Sequence, residues 1–440
     1  MKKVLLIQPP IQDFYTTSIR LYPLGLLYAA RVLELNGFRV EVLDSLSPLR
    51  KKEIPLPEKF SFLKPYLGQP NFFKCYQHFG WPPEKIAARA AELAPDLIGI
   101  NSSFAAYFST VVELVKKISG KHRIPIIIGG NQATCCPEEI KTRVPEVEAV
   151  IAGQAEDNLS EFLRDKFGQE AEPLDWKNIQ PAHHLLKPEA YRIGKKNYIS
   201  LQASRGCPQN CSFCNVHLVF GRVVSYREIS AVLREMRWNY LKREVRIFNF
   251  EDDNLSYDRD WFSEFLQAVA VDRTLQGIEL TFMNGLSYEN LDGELLRLMK
   301  QAGVRKLDLS WVSGNPFIRK KYHRPQKKDE NEFFSLLKEA KSLDFFVTVY
   351  LILGLPGQTK EEIIEVTEKL LEMKVLVGPS VFYLTPGSQL HSDLEIPAEV
   401  RDDWDNYRSL AFAVETEGLK RRDLIELFIY IRRRNLENRI

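Results

Sequence analysis

Short apolar runs alternate with longer amphipathic stretches along the first third of the chain. This alternation predicts buried strands separated by helices. The predicted strands are Val4–Gln8, Arg39–Asp44, Leu97–Asn101, Ile126–Ile128 and Ala149–Ala152. Strands of this kind form a parallel sheet with helices on both faces, and ligands bind at the carboxyl ends of the strands. We therefore expect a doubly wound, Rossmann-like α/β domain over residues 1–170.

The predicted strands of this domain end in small or polar residues. The four segments are Gln8-Pro9-Pro10, Asn101-Ser102-Ser103, Gly129-Gly130-Asn131 and Gly153-Gln154-Ala155-Glu156. Taken singly, each segment is typical of a tight strand-to-helix turn. Because all four would meet at one edge of the sheet, together they favour a binding pocket there.

A second series of strands and helices follows a polar, proline-containing linker over 171–197. Its predicted strands are Tyr198–Ala203, Val245–Phe250, Ile278–Met283, Lys306–Ser310, Phe346–Leu353 and Gly378–Leu384. Six strand-helix units predict a partial (β/α)6 TIM barrel over 198–390. The remaining segment, 391–440, is predicted to be a helical cap, with Leu424, Leu427, Phe428 and Ile431 on one face.

Composition narrows the class of protein. Hydrophobic residues make up 45% of the 440 residues and charged residues 27%, as in an ordinary globular protein. With 60 basic against 58 acidic side chains, no footprint for nucleic acid is present. No apolar run approaches the roughly 18 residues that span a bilayer. We expect a cytoplasmic protein without a membrane span or a nucleic-acid partner.

Three of the six cysteines lie close together, in a loop directly after the first predicted barrel strand. Cys207, Cys211 and Cys214 have the spacing Cys-x-x-x-Cys-x-x-Cys. Three thiolates on one loop can bind three corners of a 4Fe-4S cluster and leave the fourth iron open for a small chelating ligand. Zinc is the alternative, since three cysteines and a histidine such as His217 make a closed tetrahedral site.

At this loop the chain resembles the radical S-adenosylmethionine (SAM) superfamily, whose signature has this spacing and an aromatic residue before the last cysteine, here Phe213. The resemblance implies that SAM chelates the open iron. It also implies that one-electron reduction cleaves SAM to a 5′-deoxyadenosyl radical, which abstracts hydrogen from a substrate.

The same resemblance implies further SAM contacts at the ends of the barrel strands. Asp252 and Asp253 would hold the methionine amino group; Asp and Asn at this point are also typical of a helix N-cap, and the two roles are compatible. Ser310, Ser313 and Leu353 would line the nucleoside site. Val312 stands where the family usually has a glutamate, so the ribose contact departs from the family pattern.

The doubly wound domain contains the short segments Pro9-Pro10, Tyr22-Pro23-Leu24-Gly25, Pro95-Asp96-Leu97-Ile98-Gly99 and Ile128-Gly129-Gly130. In these segments, and in its place before the cluster loop, the domain resembles that of the cobalamin-dependent, class B methylase-like branch. The resemblance implies a corrin at the carboxyl edge of the sheet. Its contacts would come from Pro10, Ser102, Ser103, Gly129, Gly130, Gly153 and Glu156. Because the chain has no Asp-x-His-x-x-Gly sequence, we expect cobalt to be bound without that histidine. Cys135 and Cys136 follow the double glycine and are interpreted as small apolar residues rather than cobalt ligands. An empty domain is the alternative.

These observations lead to one main hypothesis. The chain is expected to be a cobalamin-dependent radical SAM enzyme that methylates an unactivated carbon of a small molecule, with electrons from a flavodoxin or ferredoxin type of donor. Radical cyclisation, rearrangement or oxidation without methyl transfer is the second hypothesis, and a metal-stabilised binding or redox-sensing protein is the third.

The loop from Ser204 to Cys214 is called the cluster loop below. Several residues outside this loop have two interpretations each. The linker histidines His183 and His184 are expected to be surface or hydrogen-bonded residues. Tyr322, His323 and Arg324 could approach a substrate or lie on a helix surface. Aromatic residues of the insertion at 47–83 could cover an apolar ligand or pack the insertion itself; they are Phe72, Phe73, Tyr76 and Trp81.

Overall fold

A computed structural model describes residues 1–15, 22–120, 123–168 and 174–438. The chain forms two compact units. The first contains residues 1–192 together with the short segments 218–220 and 401–407. The second contains 193–217, 221–400 and the chain from 408 onward.

The first unit is built on a parallel five-stranded sheet. The strands of this unit are β1 (Lys3–Gln8), β2 (Ile11–Asp13), β3 (Arg39–Asp44), β4 (Lys51–Glu53), β5 (Gln77–Phe79), β6 (Leu97–Asn101), β7 (Ile126–Gly129) and β8 (Ala149–Ile151). The main sheet has the order β3-β1-β6-β7-β8, and every neighbouring pair is parallel. The predicted doubly wound domain is therefore confirmed.

Helices connect the parallel strands. They are α1 (Leu24–Leu35), α2 (Pro83–Leu93), α3 (Phe108–Ser119), α4 (Asn131–Cys135), α5 (Pro137–Arg143) and α6 (Ala155–Phe167). The strands β1, β6 and β7 are almost wholly buried because side chains on both faces of the sheet are covered by helices. Because the strands are parallel, their carboxyl ends lie together at one edge of the sheet. The loops with the polar residues begin at this edge.

The insertion between β3 and α2 folds against the end of β1. Its strands β4 and β5 join β2 in a small antiparallel sheet of order β2-β5-β4. Phe14, Phe60, Phe72, Phe73 and Tyr76 are buried there, and the rings of Phe14 and Phe60 lie 5.6 Å apart. Phe72, Phe73 and Tyr76 thus pack the core of the insertion itself, whereas Trp81 is half-buried and its ring contacts the Lys85 ammonium.

The structure divides the chain differently from the expected domain ranges. Of the expected linker 171–197, residues 171–173 lie outside the described residues, and residues 174–192 belong to the first unit. Buried hydrogen bonds hold this segment: Ala182 N donates to Leu27 O at 3.0 Å, and the Tyr191 hydroxyl donates to Asp44 at 2.5 Å. The segment is therefore a packed part of the first unit.

The second unit contains six parallel strands in chain order. The strands from the unit boundary onward are β9 (Arg192–Ile193), β10 (Lys196–Leu201), β11 (Ser204–Arg205), β12 (Ser225–Tyr226), β13 (Val245–Phe250), β14 (Glu279–Thr281), β15 (Lys306–Val312), β16 (Phe346–Leu353) and β17 (Leu376–Val381). The parallel strands form one sheet that includes β10, β13 and β14 and a second of β15, β16 and β17. Isolated parallel bridges pair Leu280 of β14 with Val304, just before β15, and Leu286, which follows β14, with Leu309 of β15. The result is the predicted partial barrel.

Helices follow most barrel strands. The helices that follow β11 along the chain are α7 (Val216–Phe220), α8 (Ile229–Arg243), α9 (Arg259–Val271), α10 (Gly293–Gln301), α11 (Pro316–Lys321), α12 (Glu330–Ser342), α13 (Lys360–Glu372), α14 (Gln389–Asp393), α15 (Ala398–Arg401) and α16 (Arg421–Glu437). No helix within the described ranges is long and apolar enough to cross a membrane.

The C-terminal segment is only partly the expected helical cap. Leu424, Leu427, Phe428 and Ile431 are buried, and Asn435 of α16 hydrogen-bonds both the N–H and the carbonyl of Val377 in β17. Residues 401–407, in contrast, belong to the first unit, where Trp404 packs on Phe108 with ring centroids 5.0 Å apart. The end of the expected cap, 439–440, lies outside the described residues.

Candidate functional site

The cluster loop begins at the end of β10 and is held there by Asp252, which follows β13. Asp252 is buried and accepts hydrogen bonds from the backbone N–H groups of Ala203 and Ser204 and from the Ser204 hydroxyl. The neighbouring Asp253 accepts from Gly206 N at 3.0 Å. Both carboxylates therefore fix the backbone that leads into Cys207. The helix N-cap role belongs instead to Asp258, which caps α9.

Burial changes the acidity of these two carboxyl groups. It raises the pKa of Asp252 to about 7, although the hydrogen bonds from Ser204 oppose the shift. Burial also raises the pKa of Asp253 to about 6, opposed by the Gly206 N–H and by the charge of Arg205. A positive charge beside these two carboxyl groups would lower their pKa values and stabilise their charged forms.

The second half of the loop is held by the segment after α11. Ser212 N donates to Tyr322 O at 3.1 Å, and the Ser212 hydroxyl contacts His323 Nδ1 at 3.1 Å. Arg324 donates to Gln209 Oε1 at 3.0 Å and to the carbonyl of Ser310 at 2.8 Å. Residues 322–324 therefore contact the cluster loop directly and do not simply lie on a helix surface.

The three thiols differ in exposure but share a shielded environment. Cys211 is buried, and Cys207 and Cys214 are half-buried. Burial raises the pKa of the Cys207 thiol, and it raises the pKa of the Cys214 thiol to about 11. Asn254 Nδ2 donates to Cys207 Sγ at 3.6 Å. Such thiols become thiolates when a metal centre supplies positive charge, so these donors fit an iron-sulfur cluster.

The arrangement gives the zinc alternative no support. Zinc holds sulfur ligands at about 2.3 Å, which brings the ligand atoms into one tight group. Among the described residues, no three His, Cys, Asp or Glu side chains are grouped closely enough to hold a single metal ion. A cubane cluster separates its cysteine ligands more widely, because each thiolate binds a different iron.

The end of β15 is distorted where the nucleoside contacts are expected. The pairing of β15 with β16 shifts register between Ser310 and Val312, as at a β-bulge. Val312 has φ 72°, a left-handed conformation that is unfavourable for a β-branched residue. Ser310 is half-buried, whereas Ser313 is buried and its hydroxyl accepts from Asn315 N. Backbone strain of this kind is typical of ligand sites.

The turn after β16 is held by a side chain that the sequence did not single out. Gln358 is buried, accepts from the N–H groups of Gly354 and Leu355, and donates to Ile352 O. Leu353 itself is fully buried, and its carbonyl accepts from Phe382 N at 2.8 Å. Leu353 therefore shapes the strand end through packing, and Phe213 in the cluster loop is half-buried.

In the first unit, the predicted residues at the ends of β6 and β7 contact one another. Ser102 is buried; its N–H donates to Gly129 O at 2.7 Å and its hydroxyl to Gln132 Oε1 at 2.6 Å. The hydroxyl of Ser103 donates to Asn101 Oδ1 at 3.0 Å. The two hydrogen bonds of Ser102 connect the loop after β6 with the end of β7 and the residues that follow it.

The glycines of this edge allow the close approach. A Cβ at Gly130, which has φ 113°, would lie 2.6 Å from Asn101 Oδ1 and 2.7 Å from Ser102 O. The hydroxyl of Thr134 donates to Gly130 O and accepts from Gly153 N, so it connects the ends of β7 and β8. A glycine is therefore required at position 130.

The remaining predicted contacts lie at either side of the edge. Pro10 is buried, and its carbonyl accepts from the Thr110 hydroxyl at 2.7 Å. Glu156 is buried in the first turn of α6, and its carbonyl accepts from Leu174 N at 3.1 Å. Burial raises the pKa of the Cys136 thiol to about 12, which fits the interpretation of Cys136 as a small apolar residue.

The linker histidines have hydrogen-bond partners within the first unit. The ring of the buried His183 bonds the hydroxyl of Tyr22, and His184 Nε2 contacts Glu34 Oε1 at 2.8 Å. Among the described residues, neither histidine belongs to a group of three or more His, Cys, Asp or Glu side chains that could hold a metal ion.

Two family models match different parts of the chain. The model described as the radical SAM superfamily matches residues 201–370, which include the cluster loop and β11 to β16. The model described as the B12 binding domain matches residues 73–163, which include β6 to β8.

Curated relatives and a solved structure are similar over most of the chain. Bacteriochlorophyllide d C-12(1)-methyltransferase of Chlorobaculum tepidum is 27% identical over 70% of this chain and 68% of its own length. Cytidylyl-2-hydroxyethylphosphonate methyltransferase of Streptomyces wedmorensis is 25% identical over 81% of this chain and 73% of its own. The structure of the radical S-adenosylmethionine methyltransferase TsrM from Kitasatospora setae, with cobalamin and a 4Fe-4S cluster bound, matches with TM-score 0.67 at 15% identity. The match covers 98% of this chain and 91% of the TsrM chain, which supports a shared fold.

Proposed function

Because the chain belongs to the radical S-adenosylmethionine superfamily and carries a B12-binding domain, we propose that it transfers a methyl group to an unactivated carbon of a small molecule. The observation that carries this proposal is the cluster loop, with three shielded thiols held by carboxylates of the next strand end. Methyl transfer is supported by two relatives that are methyltransferases.

Cys207, Cys211 and Cys214 would ligate the cluster. Asp252, Asp253 and Arg324 hold the loop at both ends, so the three thiols keep their positions when one iron is left open. The Asn254 amide would donate to a cluster sulfur through its contact with Cys207, a kind of bond that tunes cluster potential.

The SAM contacts are proposed at the neighbouring strand ends. Asp252 is buried and Asp253 is half-buried, and both have raised pKa values, so an ammonium group beside them would favour their charged forms. Phe213, Ser310, Ser313 and Leu353 would form the surroundings of the methionine and nucleoside parts. Ser310 and Ser313 contribute hydroxyl groups where the family glutamate is replaced by Val312.

Cobalamin is proposed to bind at the carboxyl edge of the sheet in the first unit. Pro10, Ser102, Ser103, Gly129, Gly130, Gly153 and Glu156 would contribute this edge. The close approach of the β6 and β7 loops at Gly130, which a Cβ would prevent, fits a cradle for a large ligand.

When bound, the cluster and SAM would supply a carbon radical, and cobalamin would supply a methyl group. An external one-electron donor of flavodoxin or ferredoxin type is proposed, since the other three cysteines of the sequence form no second cluster motif. A reducing, cytoplasmic compartment would keep the cluster thiols available.

The decisive experiment compares the anaerobically reconstituted enzyme with its Cys207→Ala variant. The wild-type protein is expected to contain iron, sulfide and cobalamin and to form 5′-deoxyadenosine under reducing conditions. The variant should form none. Retained 5′-deoxyadenosine formation would contradict the assignment of Cys207. A product one methylene unit heavier than its substrate supports methyl transfer, whereas an unchanged or dehydrogenated mass contradicts it.

A further inference from the structure

A short basic segment, residues 317–328, lies beside the cluster loop. It contains six Lys and Arg side chains and no Asp or Glu, in a chain whose net charge is +2. The six are Arg319, Lys320, Lys321, Arg324, Lys327 and Lys328. Because the whole chain has 60 basic and 58 acidic side chains, the positive charge of the basic segment is a local feature.

The cations of the basic segment hydrogen-bond to neutral groups. The acceptors are the carbonyls of Ser313 and Gly314 for Arg319, the carbonyl of Pro356 for Lys321, Gln209 and the carbonyl of Ser310 for Arg324, and the side chain of Asn290 for Lys327. Elsewhere in the second unit exposed cations pair with carboxylates, as Arg297 does with Glu339 at 3.0 Å. The hydrogen bonds of the basic segment therefore do not neutralise its positive charge.

Helix α11 presents an aromatic ring together with two of these cations. Phe317, Lys320 and Lys321 have the spacing i, i+3 and i+4, which places them on one face of the helix. All three side chains are exposed, and Phe317 is 81% exposed. An apolar centre with a charged rim is the usual composition of a protein–protein interface.

The basic segment also connects the surface to a cysteine of the cluster loop. His323 is exposed, and its carbonyl accepts from the Cys211 thiol at 3.9 Å. Its ring nitrogen Nδ1 contacts the Ser212 hydroxyl at 3.1 Å. A single residue thus extends from solvent to a proposed cluster ligand. Since electron tunnelling weakens steeply with distance, this is a favourable place for an electron to enter.

We infer that residues 317–323 form the docking surface for the external electron donor, an acidic protein of flavodoxin type. The inference rests on the proposed function, in which one-electron reduction precedes the cleavage of SAM. Charge complementarity supports an acidic partner, because a positive surface steers such a protein toward it.

The exposed ring of Phe317 favours flavodoxin over ferredoxin, since a flavin offers an apolar ring edge for it to contact. The interface is expected to be small and transient, as between other electron-transfer partners. The reduced donor loses one electron and the cluster gains it; no bond forms or breaks.

The test measures binding of a purified acidic flavodoxin to the anaerobically reconstituted full-length protein. Titration with oxidised flavodoxin gives the Kd at low and at high ionic strength. Lys320→Glu should raise the Kd about tenfold at low ionic strength and much less at high ionic strength, because salt screens exposed charges. Phe317→Ala should raise it about fivefold or more at both ionic strengths, because an apolar contact is not screened.

Electron transfer provides a second measurement. In stopped-flow experiments, the second-order rate constant for cluster reduction by reduced flavodoxin should fall in both variants. Reduction by photoreduced deazariboflavin, a small uncharged reductant, should be as fast as in the wild type because it needs no docking surface. The Kd for SAM should also stay unchanged, which shows that the exposed substitutions leave the fold intact.

Leu241→Ala and Lys242→Glu are the matched controls. Leu241 is 63% exposed, and the neighbouring Lys242 is exposed in the last turn of α8. This end of α8 lies at the amino ends of the barrel strands, since Asn197 of β10 donates to the carbonyl of Arg243 at 3.1 Å. Both control variants should bind flavodoxin as the wild type does.

Unchanged Kd values in Lys320→Glu and Phe317→Ala, or equal losses in the two control variants, would overturn the inference. Tighter binding of a ferredoxin or of an RNA oligonucleotide at the same ionic strength would overturn it too. A wild-type protein that forms 5′-deoxyadenosine with deazariboflavin but does not bind flavodoxin contradicts the docking surface alone. A protein that forms no 5′-deoxyadenosine with either reductant contradicts the proposed function.

Discussion

Arg324 donates to the side-chain oxygen of Gln209 at 3.0 Å, inside the loop between the first two cluster cysteines. Its second terminal nitrogen donates to the carbonyl of Ser310 at 2.8 Å, in the strand proposed to contact the nucleoside. One guanidinium thus connects the loop that would hold iron with the strand that would hold SAM. A planar group with fixed donors suits this bridge better than a flexible ammonium does.

Replacing Arg324 by Lys should weaken this connection while keeping the charge. Because at least one of the two charge-assisted bonds is lost, and each contributes about 1.5–3 kcal/mol, the Kd for SAM should rise roughly tenfold or more. Equilibrium binding to the cluster-loaded protein measures the change. Arg222→Gln is the control for the loss of an exposed arginine near the same loop, since Arg222 donates to Asn210 Oδ1 at 2.8 Å. Equal affinities in wild type and Arg324→Lys would refute the coupling.

The two adjacent glycines at the end of β7 should respond differently to alanine. At Gly130, φ is 113° and a Cβ would lie 2.6 Å from Asn101 Oδ1, so Gly130→Ala must displace the β6 loop. At Gly129 the nearest atom to a Cβ is 3.8 Å away. We expect Gly130→Ala to reduce the free energy of unfolding by about 2 kcal/mol or more and to weaken cobalamin binding. Gly129→Ala should leave the free energy of unfolding nearly unchanged, because a Cβ there meets only ordinary van der Waals contacts. Urea unfolding and cobalamin titration of both variants provide the comparison, and similar behaviour of the two would contradict it.

The sequence made the fold and the cluster loop predictable because both depend on local patterns. Apolar runs marked the main strands, and the spacing of Cys207, Cys211 and Cys214 marked the loop. Contacts between distant segments left no such pattern. Nothing near Asp13 in the sequence indicates that Tyr107 will donate to it. Nor does the sequence indicate that Arg324 reaches Gln209, because that contact depends on how α11 ends. Asp252 and Asp253 are an intermediate case. The sequence predicted that they lie at the end of a barrel strand, but it did not predict that they accept hydrogen bonds from the backbone that leads into the cluster loop.

Val312 should reverse the usual order of alanine and glycine substitutions. In an ordinary strand, glycine is less stable than alanine by about 0.5–1 kcal/mol. A left-handed φ, here 72°, disfavours any residue with a Cβ by about 1–2 kcal/mol. Val312→Gly should therefore be more stable than Val312→Ala, although glycine also gives up the buried contacts of the Cβ that alanine keeps. Val349, buried in the regular part of β16, provides the control pair, in which alanine should be the more stable. Chemical unfolding of the four variants measures the order, and the same order at both positions would contradict the strain at Val312.

The carboxyl group of Asp44 should make the stability of the first unit depend on pH. Burial raises the pKa of Asp44 to about 6, opposed by hydrogen bonds from Tyr191 and the Leu46 N–H. A carboxyl whose pKa is higher in the folded than in the unfolded state binds more protons when folded. Its contribution is therefore most favourable below about pH 4 and is lost as the pH rises to about 6. A shift of about two pKa units corresponds to on the order of 3 kcal/mol.

Asp44→Asn removes this titration and keeps an acceptor for the Tyr191 hydroxyl. The difference in unfolding free energy between wild type and Asp44→Asn should accordingly change by on the order of 3 kcal/mol between pH 4 and pH 7, with the wild type losing stability as pH rises. Tyr191→Phe removes a donor that lowers the pKa of Asp44, so it should extend the loss above pH 6. Urea unfolding at pH 4, 5, 6 and 7 measures these slopes. Parallel curves for wild type and Asp44→Asn would mean that the Tyr191 and Leu46 bonds offset the burial of Asp44 in full.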